Sequence, residues 1–141
     1  MKKIQMIVAQ GIIINNNKVL IGLRNSPHDF KAHKLWQLPA GEVEFAEHPA
    51  KAVTRELKEE TGYKVTVIKS LPHIENVLWK YKTYQAQVVV LTYACQIIGG
   101  KLMVDGRENS EWKWITEKDY KKLKFTPGST QALKWWFNHN R

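Results

Sequence analysis

Glu56, Glu59 and Glu60 stand at positions i, i+3 and i+4, a spacing that puts three carboxylates on one helix face with Cβ atoms about 5–6 Å apart. Like charges this close raise one another's proton affinity and weaken the helix unless a cation compensates them. A hard divalent ion suits such a set, because Mg²⁺ and Mn²⁺ prefer carboxylate oxygen and keep positions that phosphate oxygens can fill. The chemistry implied is metal-assisted handling of a phosphate-bearing substrate. The competing reading is a solvated acidic face with partners inside the helix, such as Arg55 with Glu59.

The element that must carry these acids is well punctuated. Pro49 opens it and Gly62 closes it, so the pattern predicts a helix over Pro49 to Thr61. Upstream, "IQMIVAQGIII" and "KVLIGLR" are aliphatic runs on either side of the turn residues Asn15 to Asn17, which predicts a hairpin. "NSPHDFKAHK" reads as a polar loop and "LWQLPAG" as one short strand ending in a turn. Downstream, "YKVTVIK", "IENVLWKYKTYQAQVVVLTYACQII" and "WKWI" read as strands, with a break at Gly99 and Gly100. "TEKDYKKL" and "STQALKWWFNH" read as helices for which Thr116 and Ser129 are the candidate N-caps. This order of strands and helices indicates an α+β or α/β sandwich, without internal repeats.

A chain of 141 residues, 43% hydrophobic and 25% charged, is expected to form a single domain over residues 1–141 with one core. The net charge of +9 favours polyanionic partners. The lysines are scattered rather than striped, which fits phosphate steering and solubility better than a dedicated nucleic-acid surface. No apolar run reaches the roughly 20 residues of a membrane helix, and the start "MKKIQMIVAQGIII" is interrupted by Gln5 and Gln10, so it reads as a strand. No membrane partner is expected. The single cysteine, Cys95, cannot form an internal disulfide, and the expected compartment is the cytoplasm.

The whole stretch from Gly41 to Tyr63, "GEVEFAEHPAKAVTRELKEETGY", resembles the Nudix box, G-x5-E-x7-R-E-U-x-E-E-x-G-U with U a bulky apolar residue, at every fixed position. The resemblance implies an α/β fold, a Nudix α/β/α sandwich around a mixed sheet. It implies hydrolysis of a nucleoside diphosphate linked to another group, with Mg²⁺ or Mn²⁺ as cofactor. Glu56, Glu59 and Glu60 match the family's metal ligands, with Glu56 the first choice for activating water and Glu59 beside it. Arg55 matches the arginine that orients the acids. Gly41, Glu47 and Gly62 match the residues that shape the loop and helix, and the carbonyl of Ala40 is a further candidate ligand. Glu108, in "DGRENSEW", is a candidate extra ligand or base from a neighbouring loop, with an exposed loop acid as the alternative. Many members carry glycine at the positions of Ala40 and Ala46, so the loop here must turn with fewer permissive residues.

The short chain resembles the MutT-type branch, which implies cleavage of an ordinary or oxidised nucleoside triphosphate to monophosphate and pyrophosphate. ADP-ribose, nucleotide sugars, dinucleoside polyphosphates and a non-catalytic nucleotide- or RNA-binding module stay open. Arg24, with Lys31 or Lys34, is a candidate phosphate contact. Trp112, which shares a strand face with Trp114, is a candidate base-stacking residue, and Asn109 a candidate reader of a base edge, with core packing and turn formation as the alternatives. The five histidines match no zinc spacing. Homodimers are common in the superfamily, and the sequence marks no interface.

Overall fold

The computed structural model describes residues 1–29, 32–103 and 109–140. Its axis is β1 (Lys2–Asn15), which runs parallel to β6 (Tyr84–Gly100) in unbroken register from Lys2↔Tyr84 to Ile14↔Gln96. β6 returns antiparallel along the edge strand β5 (Tyr63–Lys80). On the other side β1 turns at Asn16 and Asn17, both at positive φ, into β2 (Lys18–Arg24). Asparagine tolerates that left-handed conformation, so the run of three asparagines makes the tight hairpin expected of it. β2 pairs antiparallel with β3 (Trp36–Gln37) and with β7 (Asn109–Ile115), and β4 (Ala40–Glu42) pairs antiparallel with β1. The sheet is therefore mixed.

Side chains alternate across a strand, and β1 uses both faces. Ala9 and Ile13 face α1 (Pro49–Thr61), joining Ala52, Val53, Leu57 and Cys95 in one buried cluster. Ile12 faces α3 (Pro127–His139), joining Val19, Ile21, Leu133, Trp136 and Phe137 in the other. A helix on each face of a mixed sheet is the α/β/α sandwich expected. Gln10, on the α3 face, is 3% exposed, and its amide donates to Thr92 Oγ1 and to the Gly128 carbonyl, 2.9 Å each. That satisfies a polar side chain in the core and ties the start of α3 to the sheet.

Several elements differ from the sequence reading. The expected strand 35–41 is two strands, because Pro39 has no N–H to give and its carbonyl instead accepts from Gly11 N–H at 3.0 Å. The break in the third strand region lies at residues 81–83 rather than at the glycine pair, where β6 merely ends; "YKT" carries no strong turn residue, so nothing in the sequence announced it. β5 also runs through Pro72, which an edge strand tolerates, with a register shift between Ser70 and Ile74. α2 (Glu117–Tyr120) is a single turn with a Thr116–Asp119 capping box. α3 starts two residues before its expected cap: Thr126 is the N-cap, Pro127 opens the helix, and the Ser129 hydroxyl accepts the Leu38 N–H at 2.9 Å.

Leu57 is fully buried between Glu56 and the sheet, so it anchors the acid-bearing helix. Leu57→Ala should lower unfolding free energy by about 2–5 kcal/mol, as read from urea denaturation. An effect under about 1 kcal/mol would mean that α1 is held mainly by its polar contacts.

Candidate active site

α1 begins at His48, whose Nδ1 accepts the Ala50 N–H at 3.0 Å, and Pro49 opens its first turn. It ends at Gly62, φ 87°, in the left-handed conformation that glycine adopts without a steric penalty. Arg55, on this helix, gathers three of the box acids: Glu47 from the loop before it and Glu56 and Glu59 along it. Arg55 Nε and Nη2 donate to the two oxygens of Glu47 at 2.8 and 2.9 Å, a bidentate pair. Its Nη1 donates to Glu56 Oε1 at 2.7 Å and to Glu59 Oε2 at 3.4 Å, and Nη2 also donates to the Glu42 carbonyl at 3.2 Å. Glu47 Oε1 accepts the Glu44 N–H at 3.0 Å, so the loop before the helix closes on the same centre.

The electrostatics follow these contacts. The Arg55 hydrogen bond, with the Glu44 N–H behind it, holds the Glu47 carboxyl at about 2, well below its ordinary 4.5. Hydrogen bonds to Glu47 and then Glu56 push the Arg55 guanidinium above its already high range.

Glu56 and Glu60 are held from the loop side. The Glu56 carboxyl lies against Gly41: a Cβ on that glycine would run into the carboxyl group, so a larger residue there would displace the acid. Glu60 Oε2 accepts the Ala40 N–H at 3.1 Å, and Oε1 accepts from Asn109 Nδ2 at 2.6 Å. Asn109 is 2% exposed, and its Oδ1 accepts from Gln37 Nε2 at 3.2 Å. Its amide is thus committed to a Gln37–Asn109–Glu60 chain rather than turned to a base edge. Sequence reading missed this role because the partners lie 49 and 72 residues away along the chain.

A cleft of about 380 Å³ opens beside this cluster on the α3 face of the sheet. Ala40, Gly41 and Glu42 line one part of it, and Trp79, Tyr81 and Tyr84 another. Arg24 lines it as well, with Nε on Ser26 Oγ at 3.1 Å. Trp112 does not line the cleft; it packs, with Trp114, against the cluster on the α1 face. Lys31 and Glu108 lie outside the described residues. Cys95 is fully buried, and burial pushes its thiol up to about 12, which suits a core residue and not a nucleophile.

Among the described residues no three Asp, Glu, His or Cys side chains converge tightly enough to hold a metal as they stand. The donors nevertheless fit a hard divalent cation in kind. All are oxygens on successive turns of one helix, and Gly41 leaves the Glu56 carboxyl a recess that any larger residue would fill. Glu59, 59% exposed, is the acid least confined by neighbours among those bonded to Arg55, apart from the outlying Glu44.

The NUDIX domain family model matches residues 6–136. An RNA pyrophosphohydrolase of Bartonella bacilliformis is 33% identical over 132 residues, covering 74% of each chain. An ADP-ribose pyrophosphatase of Methanocaldococcus jannaschii is 29% identical over 123 residues, 84% of this chain and 66% of that protein. An 8-oxo-dGTP diphosphatase of Escherichia coli is 44% identical over 62 residues, 44% of this chain and 46% of that one. The chain thus spans just under two thirds of the M. jannaschii protein and under half of the E. coli one. The fold is shared with a MutT NUDIX hydrolase from Burkholderia pseudomallei, TM-score 0.73 at 20% identity, covering 92% of this chain and 96% of that one.

Two outcomes test the loop and its central pair. Glu47 binds its proton more weakly in the folded protein than in the unfolded one, so its contribution to stability is complete above the ordinary 4.5 and is lost as pH falls towards about 2. In thermal melts wild type should exceed Glu47→Gln at pH 7, and the gap should close across that acid window; a gap independent of pH would show that the charge is not what matters. Ala46 holds φ 66° in the same loop, which costs a side-chain-bearing residue about 1–2 kcal/mol. Ala46→Gly should therefore stabilise the protein by about 0.5–1 kcal/mol after the entropy of a freer unfolded chain is subtracted, and a loss of stability in urea titration would contradict the strain. With the box closed around Arg55, the cleft alongside it and the family model matching nearly end to end, the chain belongs to the Nudix hydrolase family.

Proposed function

We propose that this protein hydrolyses a nucleoside triphosphate to the monophosphate and pyrophosphate. The observation that carries the reading is the placement of the Arg55 cluster against Gly41, at the lip of a cleft whose other wall is aromatic. A polyphosphate lying over the lip meets the acids, while a flat base reaches Trp79 and Tyr84. The 8-oxo-dGTP diphosphatase similarity supports a nucleoside triphosphate, ordinary or oxidised, as the substrate.

Nudix hydrolases generally use divalent metal ions, and here Glu56, Glu59 and Glu60, with the Ala40 carbonyl, are the groups proposed to hold Mg²⁺ or Mn²⁺. When bound, such an ion neutralises phosphate charge and makes attacking water more acidic. The chain's own residues do the rest. Glu56 Oε1 stays on Arg55, which fixes the carboxylate, and Oε2, turned to Gly41, accepts the proton of the attacking water. Arg55 keeps the neighbouring acids in place through Glu47 and Glu59. Asn109 and the Ala40 N–H orient Glu60. Arg24, on the cleft wall, is the proposed phosphate contact; the net charge of +9 draws the polyanion in.

A second reading has specific support. The RNA pyrophosphohydrolase similarity and the basic charge both suit a 5′-triphosphate carried on an RNA end. In either case no described helix is long and apolar enough to cross a membrane, and a lone buried cysteine suits a reducing cytoplasm as the proposed compartment.

Turnover of ordinary and oxidised nucleoside triphosphates, ADP-ribose and a 5′-triphosphorylated RNA, each with Mg²⁺ or Mn²⁺ and with products resolved by chromatography, separates these readings. Pyrophosphate release fastest from one free triphosphate is the expected result, abolished by a chelator; a preference for the RNA end would establish the second reading instead. Glu56→Gln should cut kcat by about 10²–10⁴-fold with the melting profile retained. Wild-type turnover in that variant would remove Glu56 as the base.

A further inference from the structure

The cleft holds one polar group that the reading above does not use. Asp29 sits in the loop after β2, on the cleft wall, with its backbone fixed three ways: its N–H donates to the Ser26 carbonyl at 2.9 Å, and its own carbonyl accepts from Ala32 and His33 N–H at 3.0 Å each. Tyr81, from the turn between β5 and β6, lies near its carboxylate; burial first, and then the Asp29 charge, raise the Tyr81 phenol above its ordinary range. Among the described residues, Asp29 Oδ1 is buried and has no hydrogen-bond partner, the one side-chain oxygen or nitrogen in that condition.

A buried acceptor left unmet costs more than an ordinary hydrogen bond returns, so native proteins rarely keep one without a use. The surroundings say what use. Trp79 and Tyr84 border the cleft, Tyr81 stacks on Tyr84 with centroids 4.7 Å apart, and Met6 and Val88 of the sheet form an apolar floor. A flat heterocycle suits these walls. A carboxylate accepts hydrogen bonds and repels both lone pairs and phosphate. It therefore reads the edge of the base and leaves the phosphates to the Gly41 end of the cleft.

Resting on the reading of this cleft as a nucleotide seat, we propose that Asp29 determines base specificity: its Oδ1 accepts a ring or amino N–H, selecting bases that carry such a donor, guanine among them, and rejecting a purine whose edge carries only acceptors. Tyr81 acts through Asp29, holding the carboxylate in place.

Binding of nucleoside monophosphates, followed by calorimetry on the intact protein, tests this apart from any hydrolysis. Guanosine monophosphate should bind at least about tenfold more tightly than purine riboside monophosphate, which lacks the edge donors. Asp29→Ala, which removes the acceptor altogether, should bring that ratio to within about twofold, while Asp29→Asn, whose amide oxygen still accepts, should keep part of the preference; a merely structural role would weaken both ligands and leave the ratio alone. 2′,3′-Dideoxyguanosine monophosphate should bind as guanosine monophosphate does. Equal wild-type affinities, a ratio unmoved by Asp29→Ala, dependence on the sugar hydroxyls, or a liganded structure with only water on Oδ1 would each overturn base reading by Asp29. Failure to hydrolyse any triphosphate would remove the proposed function while leaving the binding result standing.

Discussion

One guanidinium organises the box. Arg55 bonds Glu47, Glu56 and Glu59 and the Glu42 carbonyl, so residues before the helix and along it converge on a single positive charge. Without a cation at that point, acids spaced three and four residues apart would repel one another and the loop would have nothing to close upon. Arginine suits the position because its planar fork serves several acceptors at once, which the compact ammonium of lysine does not. The close approach of Glu56 to Gly41 follows from the same closure, and a side chain at the loop's first position would push that acid from its place.

The remaining acid is governed from elsewhere. Glu60 points away from Arg55's partners to the Ala40 N–H and to Asn109, and Asn109 leads on to Gln37. Two separate sets of contacts thus share one helix: an ionic one built within the box, and an amide chain reaching in from β7 and β3. The first sets charge and the second sets direction. Both depend on Leu57, whose burial fixes the rotation of α1 and so decides which way its acids face.

How much of this was legible in the sequence depended on range. The helix limits, the glycine that ends it and the asparagine hairpin are local patterns, and the chain forms them where the spacing indicated. The turn at 81–83 was hidden because aromatic and charged residues run straight through it, and β3 and β4 were merged because Pro39 looks like an ending rather than a division. Asn109 read as a candidate for a base edge or a turn, since nothing near it in the sequence names Gln37 or Glu60. Trp112 read as a stacking residue, whereas strand register turns it to the α1 face. Asp29 was one polar residue among many in a loop, and only the fold brings Tyr81 to it. Contacts between distant segments carry no signal in a single chain, and the cleft consists almost wholly of such contacts.

The division of labour between the faces of β1 has a consequence for how such a protein changes over time. The acid-bearing helix rests on one side of the sheet and reaches the cleft only past β4, while the cleft floor and walls belong to the other side, to β5, β6 and the start of α3. Residues that decide what enters therefore share few neighbours with residues that cut. Substitutions more than about 7–10 Å apart with no common partner have nearly additive effects. A lineage can accordingly alter its taste in ligands by drift on one layer without first repairing damage to the machinery on the other.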